Sequence, residues 1–177
     1  IRGANLRYWE DVNKGDELGH VVKGPLTVTD IMAFANGCGA TPFIRAHRRG
    51  LDFRRRHPAA YMLTKYGIPD SVERVHWDDD FAREIGVPAA FDYGLQRVAW
   101  AINLMTNWMG DDGFIKKQHT YLREVNLVGD TLWYIGKVTR KFEENNEHLV
   151  DCEFLANDQR GRTVVAGQSI IKLPSRG

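Results

Sequence analysis

The sequence predicts an α+β domain in which an antiparallel β-sheet packs against one long helix. Three observations lead to this prediction: residues 94–109 have a helical hydrophobic period, residues from 114 onward alternate with a period of two, and a strand comes first. A helix and a run of strands each have an apolar face, and each can cover the other. We therefore expect a single domain over residues 1–177 with one sheet curled around one helix.

The sequence of residues 19–42 predicts one strand and one short helix. Residues 19–28 have the composition of a strand. Thr29 and Asp30 offer an N-cap, and the apolar residues within 31–35 suit a short helix after it. The Gly-Cys-Gly-Ala-Thr-Pro run at 37–42 ends that helix.

Residues 43–75 form an irregular insert that is rich in arginine, glycine, proline and tyrosine. A connection of this length predicts some short helix within it. Its segment 45–57 is strongly basic, with Asp52 as the only acid among six arginines and two histidines.

Two helices are predicted after the insert. Residues 78–85 suit a short helix with acids in its first turn, where they favour the positive end of the helix dipole. The clearest helix of the chain is 94–109. One face of it carries apolar residues at helical spacing, namely Leu95, Val98, Ala99, Ile102, Met105 and Met109. Further apolar positions extend this surface, so we expect a helix buried on most sides: Ala101, Leu104 and Trp108.

Four strands are predicted after the long helix. They span 114–128, 131–142, 148–156 and 163–173, with turn-forming residues between them. The alternation in the third strand is typical of a sheet with one covered face. A meander that follows a buried helix in this order favours the hotdog fold.

Composition excludes several classes of protein. Lysine and arginine number 24 against 23 aspartate and glutamate, a net charge of +1, so no global field would collect polyanions. No apolar run is long enough for a membrane span, and the N-terminus lacks the apolar core of a secretory signal. Two cysteines are too few for a disulfide framework in a chain of this length. We expect a cytoplasmic protein.

Short motifs ahead of the long helix carry a family resemblance. Residues 76–82 read His-x-Asp-x-x-x-Ala, residues 86–88 read Gly-x-Pro, and Gly94 opens the helix. This combination resembles the second half of the MaoC-like hydratase signature, and the similarity covers most of the chain outside the insert. Residues 91–113 and the closing Leu-Pro-Ser-Arg are similar, more narrowly, to bacterial acyl dehydratases built as two tandem hotdogs.

The resemblance implies reversible addition of water to an enoyl thioester, to which coenzyme A or a carrier protein is linked as part of the substrate. His76 suits proton exchange near neutral pH, although a lone histidine can equally be a surface or capping residue. Gly94 can offer its N–H at a helix start to the thioester oxygen, although a glycine there can also simply permit a turn. Tyr93 and Asp78 are expected near the substrate, and Asp78 also suits an N-cap.

The sequence departs from the family at the catalytic acid. The family pattern is Gly-Asp-x-Asn-Pro-apolar-His, whereas residues 39–43 read Gly-Ala-Thr-Pro-Phe, so Ala40 stands at the acid position. A carboxylate from the insert, either Asp70 or Glu73, could replace the missing acid beside His76. Asp70 is the preferred candidate. Otherwise this chain is a non-catalytic half that binds acyl-CoA and completes the pocket of an active partner. Thioester hydrolysis on the same fold is a further alternative.

The remaining expectations concern partners and cofactors. Arg54 and Arg55 are expected to bind the phosphates of coenzyme A or of a phosphopantetheine carrier. A solvated loop or an interface is an equal alternative, and sparse aromatic residues disfavour nucleic acid. No motif predicts a metal site or a nucleotide cofactor. The resemblance implies a homodimer or pairing with a second hotdog unit.

Overall fold

A computed structural model describes residues 1–38 and 47–177. The segment 39–46, which includes Ala40 at the predicted acid position, lies outside the described residues. The chain divides into two compact units. The first unit comprises residues 1–25, 94–126 and 130–177, and the second comprises residues 26–93 and 127–129. The expectation of a single domain stays a prediction.

Four helices and seven strands follow one another along the described chain. The helices are α1 (Val28–Gly37), α2 (His47–Arg56), α3 (Asp79–Glu84) and α4 (Gly94–Met109). The strands are β1 (Glu17–Lys23), β2 (Tyr61–Leu63), β3 (Pro69–Ser71), β4 (Phe114–Leu122), β5 (Leu132–Glu144), β6 (Glu147–Asp158) and β7 (Thr163–Lys172). Short 3-10 helices lie at Trp9–Asp11, Pro58–Ala60 and Val72–His76.

The first unit contains a five-stranded sheet and the long helix. Its strand order is β1-β5-β6-β7-β4, and every neighbouring pair is antiparallel. Helix α4 contacts both edge strands, β1 and β4, as well as β5, so the sheet curves around the helix. The core lies between them and joins α4 side chains such as Leu104 and Met105 to Tyr134 and Val150 of the sheet. This confirms the predicted α+β arrangement.

The buried face of α4 differs from the predicted one. Leu95 is 70% exposed and Ile102 is 39% exposed, whereas Gln96 and Arg97 are buried. The Arg97 guanidinium donates to the Glu124 carbonyl, and the Arg97 carbonyl accepts a hydrogen bond from the Tyr134 hydroxyl. The buried stripe of α4 therefore combines these two polar residues with five apolar ones, namely Ala101, Leu104, Met105, Trp108 and Met109.

Several predicted boundaries are wrong by a few residues. Strand β1 ends at Lys23 because the next two residues are glycine and a proline, which has no N–H to donate to a neighbouring strand. Helix α1 is capped by Thr27, whose hydroxyl accepts from the Asp30 N–H while the Asp30 carboxylate accepts from the Thr27 N–H. Strand β4 ends at Leu122, and residue Leu127 forms an isolated bridge instead.

The second unit contains α1, α2, the β2–β3 hairpin and α3. The predicted helix within the insert is confirmed as α2, and Asp78 caps α3 as expected, accepting a hydrogen bond from the Phe81 N–H at 3.1 Å. A small apolar core joins the 3-10 helix Val72–His76 to α3 through Val75, Phe81 and Ala82. In the part of the chain that the structure describes, no helix is both long and apolar enough to cross a membrane.

A buried charge network closes the β6–β7 turn of the first unit. The Asp158 side chain is fully buried, and it accepts hydrogen bonds from the side chains of Arg160 and Arg162 at 3.1 and 2.8 Å. Burial raises the pKa of the Asp158 carboxyl, but hydrogen bonds from the backbone and side chains of these two arginines outweigh it and lower that pKa to about 2. The ionised form is therefore stabilised in the folded state.

We expect the stability of the first unit to depend on this ionisation. Because the folded pKa lies below the unfolded value of about 3.9, the stabilisation is present above about pH 4 and is lost as the pH falls towards 2. Asp158→Asn should lower the free energy of unfolding at pH 7 by about 1–3 kcal/mol and reduce its dependence on acid pH. Chemical denaturation at several pH values measures this. Asp112→Asn, at an exposed turn, is the control, and equal effects of both variants would contradict the assignment.

Candidate active site

His76 is the last residue of the 3-10 helix Val72–His76, and its ring is held by a backbone carbonyl. Its Nδ1 atom lies 2.7 Å from the carbonyl oxygen of Phe91. A carbonyl oxygen can only accept a hydrogen bond, so Nδ1 must carry the proton and donate it. The neutral imidazole therefore has its lone pair on Nε2, which is the atom that can act as a base.

Two aromatic rings cover the half-buried imidazole. The Tyr93 ring lies 3.9 Å from it between centroids at an interplanar angle of 37°, and the Phe91 ring lies 4.8 Å away in an edge-on arrangement. Burial lowers the pKa of His76 below its ordinary value, and this outweighs the opposing effects of the Phe91 carbonyl and the Glu73 charge. His76 is therefore neutral near pH 7 and can accept a proton.

The segment that carries the Phe91 carbonyl is fixed by neighbouring backbone. Phe91 pairs with Leu127 in an isolated antiparallel bridge, and the Val128 N–H donates to the Ala90 carbonyl at 2.8 Å. The Asp79 carboxylate accepts a hydrogen bond from the Ala90 N–H, also at 2.8 Å. These bonds hold the acceptor for His76 in a defined place.

Glu73 lies one turn before His76 in the same 3-10 helix. The Ser71 hydroxyl caps this helix by accepting a hydrogen bond from the Glu73 N–H at 3.1 Å. The Glu73 carboxylate accepts a hydrogen bond from the Tyr93 hydroxyl at 2.8 Å. The same tyrosine ring packs on His76, so the structure brings a carboxylate, a phenol and an imidazole together in the second unit.

The other predicted polar residues have local partners. The Asp70 carboxylate lies in strand β3 and accepts a hydrogen bond from the Ser71 N–H at 2.7 Å. The Asp78 carboxylate is used as the cap of α3. Among the described side chains, Glu73 is the charged one that acts on the His76 pKa. The catalytic assignment of Asp70 and the substrate contact of Asp78 stay predictions.

Gly94 is the first residue of α4, as predicted. The first N–H groups of a helix have no partner within the helix and present a partial positive charge. A Cβ atom built on Gly94 would lie 2.6 Å from the Leu122 Cδ1 atom, so a larger residue would require Leu122 to move. The close approach of the Leu122 side chain explains the glycine at this position.

The basic insert residues Arg54 and Arg55 lie at the end of α2. Both are exposed, and with Leu51, Tyr61 and Leu63 they line a surface cavity of about 540 Å³ in the second unit. Arg54 lies over the Tyr61 ring, 5.9 Å from its centroid. Outside the segment 39–46, no cluster of histidine, cysteine or acidic side chains could hold a metal ion.

Comparison with solved structures gives the fold. The chain is similar to an (R)-hydratase from A. caviae involved in PHA biosynthesis, with 16% identity over 93% of this chain and 99% of that one, at a TM-score of 0.66. It is similar to a MaoC domain protein dehydratase from Chloroflexus aurantiacus, with 13% identity over 100% of this chain and 43% of that one, at a TM-score of 0.67. The chain has the hotdog fold.

A third similar structure is a complex of two different proteins. The ChsH1–ChsH2 complex from Mycobacterium tuberculosis matches at 17% identity and a TM-score of 0.64, over 92% of this chain and 98% of the matched chain. No protein-family model matches the sequence, and no curated protein matches it either. The hotdog fold that the hydrophobic pattern and the MaoC-like motifs predicted is confirmed.

The sequence names Glu73 as an alternative carboxylate and Tyr93 as a residue near the substrate, but it does not predict the hydrogen bond between them. The two residues are twenty positions apart in the chain and lie in different segments, so no regular spacing signals their contact.

We expect neutral His76 to carry its proton on Nδ1, because that atom donates to the Phe91 carbonyl. The chemical shifts of the two ring nitrogen atoms, measured by NMR near neutral pH on protein labelled with nitrogen-15 histidine, check this. The exposed His20 in the same spectrum provides a reference for a ring in water. A proton on Nε2 would contradict the hydrogen bond.

Proposed function

We propose that this chain catalyses the reversible hydration of an enoyl thioester to a 3-hydroxyacyl thioester. One observation carries the proposal: a neutral, half-buried imidazole whose Nδ1–H is bound to a backbone carbonyl, so that Nε2 is the basic atom. The fold shared with an (R)-hydratase and a MaoC domain dehydratase supports the same reaction class.

His76 can perform both proton transfers of this reaction. In the first step Nε2 takes a proton from water, while the water oxygen forms a bond to the β-carbon and the electrons of the double bond move onto the thioester as an enolate. In the second step the imidazolium gives the same proton to the α-carbon. One water molecule is added, His76 returns to its neutral form, and the reverse sequence removes water from the 3-hydroxyacyl thioester.

The role of Gly94, in the first unit, as the donor to the enolate oxygen stays a prediction of the sequence. The thioester oxygen gains negative charge during the first step and needs fixed hydrogen-bond donors. The amide at the start of α4 offers such a donor together with the positive end of the helix dipole. Loss of a donor of this kind costs about 3 kcal/mol of barrier, or roughly a hundredfold in rate.

The thioester group is proposed to be coenzyme A or a phosphopantetheine carrier. Arg54 and Arg55 support this because guanidinium groups bind phosphate through paired donors, and both residues are exposed beside a cavity with apolar walls. No separate cofactor takes part in the proposed reaction, because water and the thioester supply all of its atoms.

Pairing with a second hotdog unit is part of the proposal. One similar structure is a complex of two proteins, and this chain spans 43% of the length of another. Ala40 at the family's acid position favours a second candidate function, a non-catalytic half that binds acyl-CoA and completes the pocket of an active partner. That candidate predicts turnover only when the second unit is added.

His76→Ala should lower the rate of enoyl-CoA hydration by about 10²- to 10⁴-fold, because it removes the group that exchanges the proton. Loss of the enoyl absorbance of a short enoyl-CoA measures the rate. His57→Ala, at an exposed histidine of the insert, is the matched control. Full activity of His76→Ala would overturn the proposed mechanism, and release of free thiol instead of hydration would indicate thioester hydrolysis.

The double variant Arg54→Ala/Arg55→Ala should raise KM for an enoyl-CoA by about 10- to 100-fold, because charge-assisted hydrogen bonds to phosphate are lost. The same variant should bind a truncated thioester without phosphates as well as the wild type does. Arg48→Ala is the control on the same helix, since Arg48 pairs with Asp52 at 3.9 Å. Equal changes in KM for both thioesters would argue against phosphate binding by these residues.

A further inference from the structure

The 3-10 helix Val72–His76 places Glu73 and His76 on one face. A 3-10 helix has three residues per turn, so side chains three positions apart lie one above the other. Glu73 is the second residue of this helix and His76 is the fifth. Both residues are partly buried. The helix is fixed at its start by Ser71 and near its end by Val75, which packs against α3.

Tyr93 joins these two side chains from a different segment. Its hydroxyl donates to the Glu73 carboxylate at 2.8 Å, and its ring packs on the His76 ring at 3.9 Å between centroids. Burial, followed by the hydrogen bond and the negative charge of Glu73, raises the pKa of the Tyr93 phenol. The phenol therefore keeps its proton at neutral pH and donates a hydrogen bond to the Glu73 carboxylate.

We propose that Glu73, held by Tyr93, is the carboxylate partner of His76 in this chain. This inference rests on the proposed function, in which His76 exchanges the proton. It assigns the carboxylate that the sequence left open between Asp70 and Glu73. The geometry favours Glu73 because it shares a helix face with His76, whereas the Asp70 carboxylate is turned towards the Ser71 N–H in strand β3.

Glu73 is a positioning residue in this arrangement. When His76 takes a proton from water it becomes a cation, and a carboxylate one helical turn away stabilises that cation in a partly buried environment. Glu73 itself neither gains nor loses a proton during the reaction. The hydrogen bond from the Tyr93 hydroxyl helps to hold the Glu73 carboxylate in place.

Within residues 1–38 and 47–177, the groups that act on His76 come from two segments. Glu73 lies in its own 3-10 helix, and Phe91 and Tyr93 lie in the segment that precedes α4. The Glu73 charge raises the pKa of His76 against the larger effect of burial. Removing that charge leaves burial less opposed, so the pKa of His76 must fall.

Glu73→Gln and Asp70→Asn form a matched pair of variants, since each replaces a carboxylate by an amide of the same shape. NMR titration of the His76 ring protons measures its pKa directly in the full chain. We expect a downward shift in Glu73→Gln and none in Asp70→Asn. Tyr93→Phe should produce a smaller downward shift, because the carboxylate stays but loses the donor that holds it.

Hydration kinetics supply the second measurement. Glu73→Gln should lower kcat at neutral pH by about 10- to 100-fold with little change in KM, because a less basic imidazole accepts the proton of water less readily. The acid limb of the pH–rate profile should move to lower pH with the His76 pKa. A purely structural defect would lower the rate without moving that limb.

The outcomes separate this inference from the proposed function. An unchanged His76 pKa in Glu73→Gln, or an equal shift in Asp70→Asn, would overturn the assignment of Glu73 even if the chain hydrates thioesters. Full hydration activity of His76→Ala would overturn the proposed function, while a shift of the His76 pKa in Glu73→Gln would still establish the coupling of the two side chains.

Discussion

The candidate site depends on one hydrogen bond, from the Nδ1–H of His76 to the carbonyl of Phe91. It fixes the tautomer of the imidazole, the orientation of the ring and the atom that can act as a base. The carbonyl is itself held by the bridge between Phe91 and Leu127 and by the bonds on either side of Ala90. The backbone of the second unit thus determines which proton His76 can exchange.

Burial and charge act on the site in opposite directions. Partial burial favours the neutral imidazole and the neutral phenol, whereas the Glu73 carboxylate favours a positive charge on His76. The balance leaves a neutral imidazole close to the Glu73 carboxylate. This combination suits a reaction in which the imidazole becomes a cation only briefly, because the carboxylate is already in place when the charge forms.

The sequence predicted regular periodic elements better than it predicted the insert. The bounds of helix α4 at 94–109 are predicted correctly because a glycine flanks each end of a strong helical pattern. Its buried side is predicted only in part, because Arg97 is buried through hydrogen bonds with the Glu124 carbonyl and the Tyr134 hydroxyl, which no hydrophobic pattern signals. His76 was selected through a family motif. The choice between Asp70 and Glu73 depends on two features of the structure. One is the 3-10 helix that contains Glu73, and the other is the hydrogen bond to Glu73 from Tyr93, which lies twenty residues later in the chain. Such a contact leaves no periodic signal.

The acceptor for His76 is a main-chain atom, and this affects how the site can vary among related sequences. Every residue type has a carbonyl, so exchange of the Phe91 side chain does not by itself delete the acceptor. Glu73 and Tyr93 act through side-chain oxygen atoms, so a substitution at either position can remove the hydrogen bond between them. Homologues should therefore vary in the residue type at position 91, whereas the residue types at positions 73 and 93 should change together.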